Sequence, residues 1–490
     1  MKLLIIGIDG GDLEIMKSFK MPFMHEYIRS NHSLTLTEDL FNRGWVEILT
    51  GEEGKNTGGF YMSPVLDGSH RFSTSFSMKQ LENKPGITPL WKLAEKKGAN
   101  YCIMNVPTTT PVPKTTNGIV IGSAGGGLNK IEGIPTNLVS DEETRKFLEN
   151  KGYVVDIRIP NDEIEDTVDL FDQLREMEDL RTECFIDICK TRSCDFGFLA
   201  NRGTTIAQYM ARSEIDSHRA LETMNEFMPK GGEKSWAHKL LEEHYMALDE
   251  NIRKMHDELK PEYLIITADH NTVPHKYRAS VTPFLLEQGY LKSKGTGARS
   301  TISNLKKILQ KVGLSSKIGK VTKKLSPQMR DILKTYDWRK SEAFGSEYVN
   351  GIYINDQERF GGPISKDSIN PLVDKICDDF NSLSEDSRKG MIAIPYRRNV
   401  TEGRFVDSLP DITFQGSEGI FFLNDGKSLT WENPNYGPIP EKVREVDHAA
   451  FSGDKGRNPI CVMSQSAYQK CSDNDSSNLT LIYKLAERIL

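Results

Sequence analysis

Asp9 closes the apolar run Leu3 to Ile8, and Asp269 with His270 follows a second apolar run, Tyr263 to Thr267. Carboxylates with one imidazole form a hard-to-borderline donor set that suits a divalent ion such as magnesium, manganese or zinc. A third segment, Asp447 to Asp454, brings in His448 shortly before the strand-like run Ile460 to Met463. Side chains from such distant segments can meet at the carboxyl edge of an α/β sheet, where successive strands deliver their terminal residues to one crevice. The pattern predicts a divalent-metal site with Asp9, Asp269 and His270 as ligands and His448 as a further imidazole.

The elements that must position these residues are written in the hydrophobic pattern. Apolar runs bounded by turn residues recur at Leu3 to Ile8, Tyr101 to Val106, Gly118 to Ile121, Phe196 to Ala200, Tyr263 to Thr267, Ile352 to Ile354 and Ile460 to Met463. Continuous runs of this kind predict strands buried on both faces. Between them, Thr88 to Lys97, Asp166 to Lys190 and Trp236 to Leu259 carry apolar residues at helical spacing. Strand alternates with helix, so the expected fold class is α/β, a doubly wound and mostly parallel sheet with helical insertions. Leu479, Ile482, Leu485 and Ile489 share one face of an expected closing helix, capped from the polar stretch Asn474 to Ser477.

One stretch breaks the rhythm. From Leu291 to Lys340 the chain carries Lys306, Lys307, Lys311, Lys317, Lys320, Lys323 and Lys324 against few acids. Residues 291–340 are expected to form a basic inserted cap or lid, with 1–290 and 341–490 as the α/β core. The lysines form either a solvated helix face or a cationic surface that meets an anionic substrate or acidic lipid.

A chain of 490 residues can bury a large core, and 37% hydrophobic with 27% charged residues is ordinary for a water-soluble α/β protein. A net charge of -6 argues against a globally nucleic-acid-binding chain. The first apolar run is too short for a signal-peptide core, and no stretch reaches the roughly 20 apolar residues that span a bilayer. The 7 cysteines lack paired zinc-ribbon spacing and read as reduced thiols of a cytoplasmic protein. Cys184, Cys189 and Cys194 lie on and just after a helical pattern, where their thiols are not expected to share a face.

Further marks accompany the strand ends: Trp45-Val46-Glu47-Ile48-Leu49-Thr50-Gly51, Pro89-Leu90-Trp91 leading to Asn105-Val106-Pro107, Thr267-Ala268-Asp269-His270, Tyr336-Asp337-Trp338, Gly351 to Asn355, and the His448 segment. In this order and spacing the chain resembles the alkaline phosphatase superfamily, within it the type I phosphodiesterase/nucleotide pyrophosphatase-like group of predicted phosphohydrolases and phosphomutases. The resemblance implies two metals, one activating a hydroxyl nucleophile and the other stabilising the leaving oxygen. Asp9, Asp269 and His270 match the first ligand set. The second calls for an Asp, a His four residues later and a distant His. Its first pair falls on Thr204 or Thr205 and then Gln208 or Tyr209, leaving only His448; Glu214 and His218 have the right mutual spacing but lie about nine residues too late.

The nucleophile position implied by the resemblance, nine residues before Thr50, is Phe41, whose ring cannot attack phosphorus. Neighbouring Asn42 and Arg43 could hold a phosphate oxygen, and Thr37 offers a hydroxyl in a shifted register. The resemblance implies that relatives often carry a histidine where Thr57 stands before Gly58. Gly10-Gly11, Gly58-Gly59 and Gly125 to Gly127 lack P-loop or dinucleotide spacing and read as turns; His275 and Lys276 follow His270 towards the same pocket. The leading expectation is a metal-dependent phosphoester hydrolase or group transferase with one-metal chemistry on a phosphate- or sulfate-bearing substrate, small or linked to a glycan or lipid. In it His448 acts as general acid or base, and Arg43 or a cap lysine clamps the anion. The alternative is a binding or regulatory protein that keeps the fold.

Overall fold

The computed structural model describes residues 1–39, 41–123, 133–157, 164–227, 235–294, 336–346, 348–396, 398, 401–424, 426–443 and 451–490, with the side chains of 221–227 left out. Among these residues the main sheet has seven strands. Their order is His32–Ser33, Cys461–Met463, Tyr263–Thr267, Leu3–Ile8, Phe196–Asn201, Tyr101–Met104 and Gly118–Ile121. The last five of these run parallel, and the two at the other edge are antiparallel to their neighbours. The α/β expectation holds, with one mixed edge.

Alternation along the first strand divides the core into two layers. Leu4, Ile6 and Ile8 join a buried cluster with the helices Thr167–Thr191 and Trp236–Leu259. Leu3 and Ile5 join the opposite cluster, with Gly44–Thr50, Leu90–Lys96 and Thr480–Ile489. Each fully buried aliphatic side chain contributes roughly 1.5–3 kcal/mol. The central strand is therefore held rigidly, and so is Asp9 at its end.

Several expectations need correction. Ile352 to Ile354 belongs to a separate four-stranded antiparallel sheet ordered Ala343–Gly345, Gly351–Ile354, Ile412–Gln415 and Ile392–Pro395. This sheet has its own buried cluster, including Phe344, Tyr353, Phe380 and Phe414. An apolar run this short reports burial but not which sheet it joins. The closing helix Thr480–Ile489 begins at Leu479 without a side-chain cap from its N-cap residue; Asn478 Oδ1 accepts from the Thr480 amide at 3.2 Å instead. Cys189 does meet Cys194, and Cys102 as well, because the chain folds back after the helix and Cys194 N donates to Cys189 O at 2.9 Å. Burial raises the Cys189 thiol well above its ordinary range, so it is an unreactive core group.

The basic segment leaves and rejoins the fold at one place. Ser293 and Tyr336 form an antiparallel bridge, and Asp337 N donates to Lys292 O at 2.7 Å. The seven lysines of the expected cap lie outside the described residues.

Candidate metal centre

Asp9 extends the buried central strand by one residue, and its amide donates to Asn201 O at 2.8 Å on the neighbouring strand. Both of its carboxylate oxygens are engaged. Trp45 Nε1 donates to Oδ2 at 3.0 Å, and the Thr205 hydroxyl donates to Oδ1. Trp45 reaches this position because residue 7 is glycine: a Cβ there would stand 2.6 Å from the indole ring. Thr205 lies in the first turn of the helix that follows the strand Phe196–Asn201.

Asp269 and His270 follow the strand Tyr263–Thr267, which pairs in parallel with the Asp9 strand. One ligand atom each from Asp9, Asp269 and His270 can be chosen so that all three lie within 4.8 Å of one another, and all three residues are buried. His270 Nε2 is 3.6 Å from Asp9 Oδ1 and 3.8 Å from Asp269 Oδ1. His270 Nδ1 lies 2.7 Å from Asn271 O. A carbonyl oxygen only accepts, so Nδ1 carries a hydrogen, and in the neutral ring Nε2 turns its lone pair towards the two carboxylates.

Three acceptors thus converge, and among the described residues Asp269 Oδ1 is buried without a hydrogen-bond donor. Burial first, and then the charge of Asp9, hold the Asp269 carboxyl well above the usual carboxylate range. A divalent cation relieves both the orphaned oxygen and the repulsion, so the donor set fits the group. The carbonyl contact to Nδ1 is the kind of support that orients a ligating imidazole.

Other groups surround the three. Tyr61 donates its hydroxyl to Asp269 Oδ2 at 3.3 Å. Tyr209 stacks beside His270 with ring centroids 6.2 Å apart. Lys455 lies on the strand Gly453–Gly456, which pairs with Asn271–Pro274 and sets Lys455 opposite Thr272. Its ammonium is 3.0 Å from the Tyr61 ring centroid. Burial lowers the Lys455 pKa to about 8, against the pull of Asp269 and Asp9, and burial raises neighbouring Asp454 to about 6. Arg202 pairs with Asp156, and the charges of Asp156 and then Asp9 help to raise its pKa.

The other residues singled out in the sequence have different surroundings. Arg43 donates Nε to Phe60 O at 2.8 Å and Nη2 to Thr74 O at 2.8 Å, with its guanidinium 5.2 Å from the Tyr61 ring centroid. Thr37 is exposed, with its hydroxyl 3.5 Å from Ser477 O, and Asn42 donates to Glu47 Oε1 at 2.7 Å. No contact joins Thr37 or Asn42 to the three donors among the described residues. Both line a cleft of about 420 Å³ together with Glu38, Asp39, Glu47 and Glu53. Burial raises Glu38 to about 7 and, with Glu38 opposite, raises Glu47 well above its ordinary value. Lys55 and Arg457 line the same cleft, so it mixes cations with carboxyls that burial keeps largely protonated.

Phe41 is buried and meets Tyr396 edge-on at 6.3 Å. The pair Glu214 and His218 is not part of the centre: Glu214 faces His238 at 3.3 Å, and His218 stacks on Phe19 at 4.1 Å. His275 Nδ1 contacts Phe451 O at 3.1 Å, Lys276 lies over Tyr436, and Thr57 serves its own turn through Gly59 N. His448 falls within 444–450, outside the described residues, as does the Gly125 to Gly127 run. The resemblance puts the second ligand pair on Thr204 or Thr205 and then Gln208 or Tyr209; of these, Thr205 contacts Asp9 and Tyr209 stacks beside His270, contacts the sequence does not mark. Tyr61 and Lys455 carried no sequence signal of their own.

No protein-family profile matches the chain, and no curated protein matches it by sequence. Solved structures do match. Phosphonoacetate hydrolase from Sinorhizobium meliloti 1021, in complex with phosphonoformate, has a TM-score of 0.54 at 10% identity, covering 99% of this chain and 95% of that one. Its complex with phosphonoacetate gives 0.52 at 9% identity over the same shares, 99% and 95%. This chain has the alkaline-phosphatase-type α/β fold. Murine ectonucleotide pyrophosphatase/phosphodiesterase 5 is similar at a TM-score of 0.44 and 10% identity, covering 95% of this chain and 88% of that chain. Identities this low speak for the fold alone.

Proposed function

We propose that this protein is a metal-dependent hydrolase or group transferase acting on an anionic phosphate ester, phosphonate or sulfate, through a single divalent ion of magnesium, manganese or zinc. The observation that carries the reading is the convergence of Asp9, Asp269 and His270 within 4.8 Å at the carboxyl edge of the parallel strands. The same fold occurs in a phosphonoacetate hydrolase. A bound ion would polarise a phosphoryl-type oxygen and lower the pKa of a bound water. The chain's own part is to hold Asp9 through Trp45 and Thr205, Asp269 through Tyr61, and His270 through the Asn271 carbonyl. His448 as proton donor or acceptor, a phosphate carried on a glycan or lipid, a cap that touches an anionic surface, a cytoplasmic setting and no role for nucleic acid complete the proposal. No helix among the described residues is long and apolar enough to cross a membrane.

A second reading, a binding or regulatory protein on the same fold, draws on Phe41. The aromatic ring where relatives place a hydroxyl nucleophile is buried. Calorimetric titration of the full chain with Mn²⁺ and assays on nitrophenyl phosphate, bis-nitrophenyl phosphate, nitrophenyl sulfate and phosphonoacetate separate the two. Expected are one ion per chain, its loss in Asp269→Asn, and measurable turnover on at least one substrate. Binding of Mn²⁺ with no turnover on any of them favours the binding protein, and no binding at all overturns the metal centre.

A further inference from the structure

Two carboxylates, Asp9 and Asp269, form the negative pole of the centre, yet the described residues bring together donors for one divalent ion. Where the resemblance calls for an Asp and a His spaced by four, at Thr204 or Thr205 and then Gln208 or Tyr209, the helix that starts at Gly203 carries neither; it presents Thr205, hydrogen-bonded to Asp9, and Tyr209, stacked beside His270. A threonine and a tyrosine held in these contacts make a poor second donor set for a hard cation. Positive charge arrives from another element. The strand Gly453–Gly456 lies antiparallel to Asn271–Pro274, directly after His270, and carries Lys455 to the same edge.

The posture of Lys455 separates it from a structural lysine. A lysine recruited to neutralise the carboxylates would close onto Asp9 or Asp269 in an ion pair. Lys455 forms neither pair; its ammonium is 3.0 Å from the centroid of the Tyr61 ring, whose hydroxyl donates to Asp269. The ring holds a cation by its negative face without consuming its three N–H donors. The side chain also keeps partial exposure, whereas Asp9, Asp269 and His270 are buried. A pinned ammonium beside an ion site, within the field of both carboxylates but off contact with them, has its donors available for the oxygens of a third group.

We propose that Lys455 is the built-in second cation of this centre: the site takes one divalent ion at Asp9, Asp269 and His270, and the Lys455 ammonium binds an anionic oxygen of the substrate where relatives use a second metal. The inference rests on the metal reading above and assigns a binding residue that the sequence pattern does not mark. It carries a sign that a packing role lacks. Removing Lys455 removes an anion's partner and also a charge that repels the divalent ion, so the two affinities move in opposite directions.

The full-length chain and its Lys455→Met and Lys455→Arg variants can be titrated calorimetrically with Mn²⁺ alone, and then, loaded with Mn²⁺, with inorganic phosphate. The wild-type protein should bind one Mn²⁺. Lys455→Met should bind Mn²⁺ as tightly or more tightly while losing about tenfold or more in phosphate affinity, the scale of a charged hydrogen bond, and Lys455→Arg should restore most of that loss. Two ions in the wild type, unchanged phosphate affinity in Lys455→Met, or a parallel loss of both affinities overturns the role of Lys455 while leaving the metal centre standing. Absence of Mn²⁺ binding in the wild type overturns the metal centre itself, and the Lys455 inference with it.

Discussion

Gly44 begins the helix Gly44–Thr50, and a Cβ on it would stand 2.5 Å from the Asp269 carbonyl oxygen and 2.9 Å from the Asp269 Cβ. The helix start is therefore in backbone contact with one candidate ligand, Asp269, and the next residue, Trp45, holds the other carboxylate. Gly44→Ala should push these two apart. Backbone cannot yield as a flexible side chain does, so a cost of about 1–3 kcal/mol is expected, the usual scale of overpacking. Urea denaturation should show that loss, and calorimetry should show Mn²⁺ affinity falling with it. Retention of both would mean that the helix start can shift without disturbing Asp269.

At the scale of elements, the centre depends on a helix that contributes no ligand. Glu178, buried on the helix Thr167–Thr191, accepts from Gly203 N at 2.7 Å and so anchors the start of the helix that presents Thr205 and Tyr209. Burial raises its carboxyl to about 7, against the opposing charge of Arg181. The unfolded chain releases this proton near the ordinary glutamate value. Between pH about 4.5 and about 7 the folded state therefore holds a proton that the unfolded state has lost, and stability falls as pH rises through that window. Glu178→Gln keeps the acceptor and removes the titration. Denaturation at pH 5 and pH 7.5 should show the wild-type decline reduced in the variant by about 2–3 kcal/mol. Equal declines in the two proteins would assign that pH dependence to other groups.

Among the described residues the seven-stranded and the four-stranded sheets pack on separate buried clusters, and residues 295–335 are bracketed by a closed junction. Ser293 bridges Tyr336, and Lys292 accepts from Asp337 N, so the chain ends on either side already meet. Replacing 295–335 with a short glycine-serine linker should change stability by less than about 2 kcal/mol, because closure entropy depends only weakly on loop length. Differential scanning calorimetry checks this. A large fall in Tm would make the segment part of the core, whereas an unchanged Tm with weaker phosphate binding to the Mn²⁺-loaded protein would give it the substrate-facing role expected from its lysines.

What sequence alone determined was set by short-range regularities. Continuous apolar runs marked Leu3–Ile8, Phe196–Asn201 and Tyr263–Thr267 because a strand buried on both faces admits few polar residues. Parallel strands aligned in one sheet end at one edge, so the sequence alone groups Asp9, Asp269 and His270. The short run Ile352 to Ile354 was legible as a strand but not as a member of the four-stranded sheet, since pairing partners leave no local mark. Tertiary structure alone decided the surroundings of the three donors. Tyr61 comes from an irregular segment, Thr205 from a helix start and Lys455 from a two-stranded ribbon, and their approach to Asp9 and Asp269 depends on turns and packing far apart in the chain. A hydrophobic period fixes which way a side chain faces within its own element. It carries no distance between elements, and the chemistry of this centre is set by those distances.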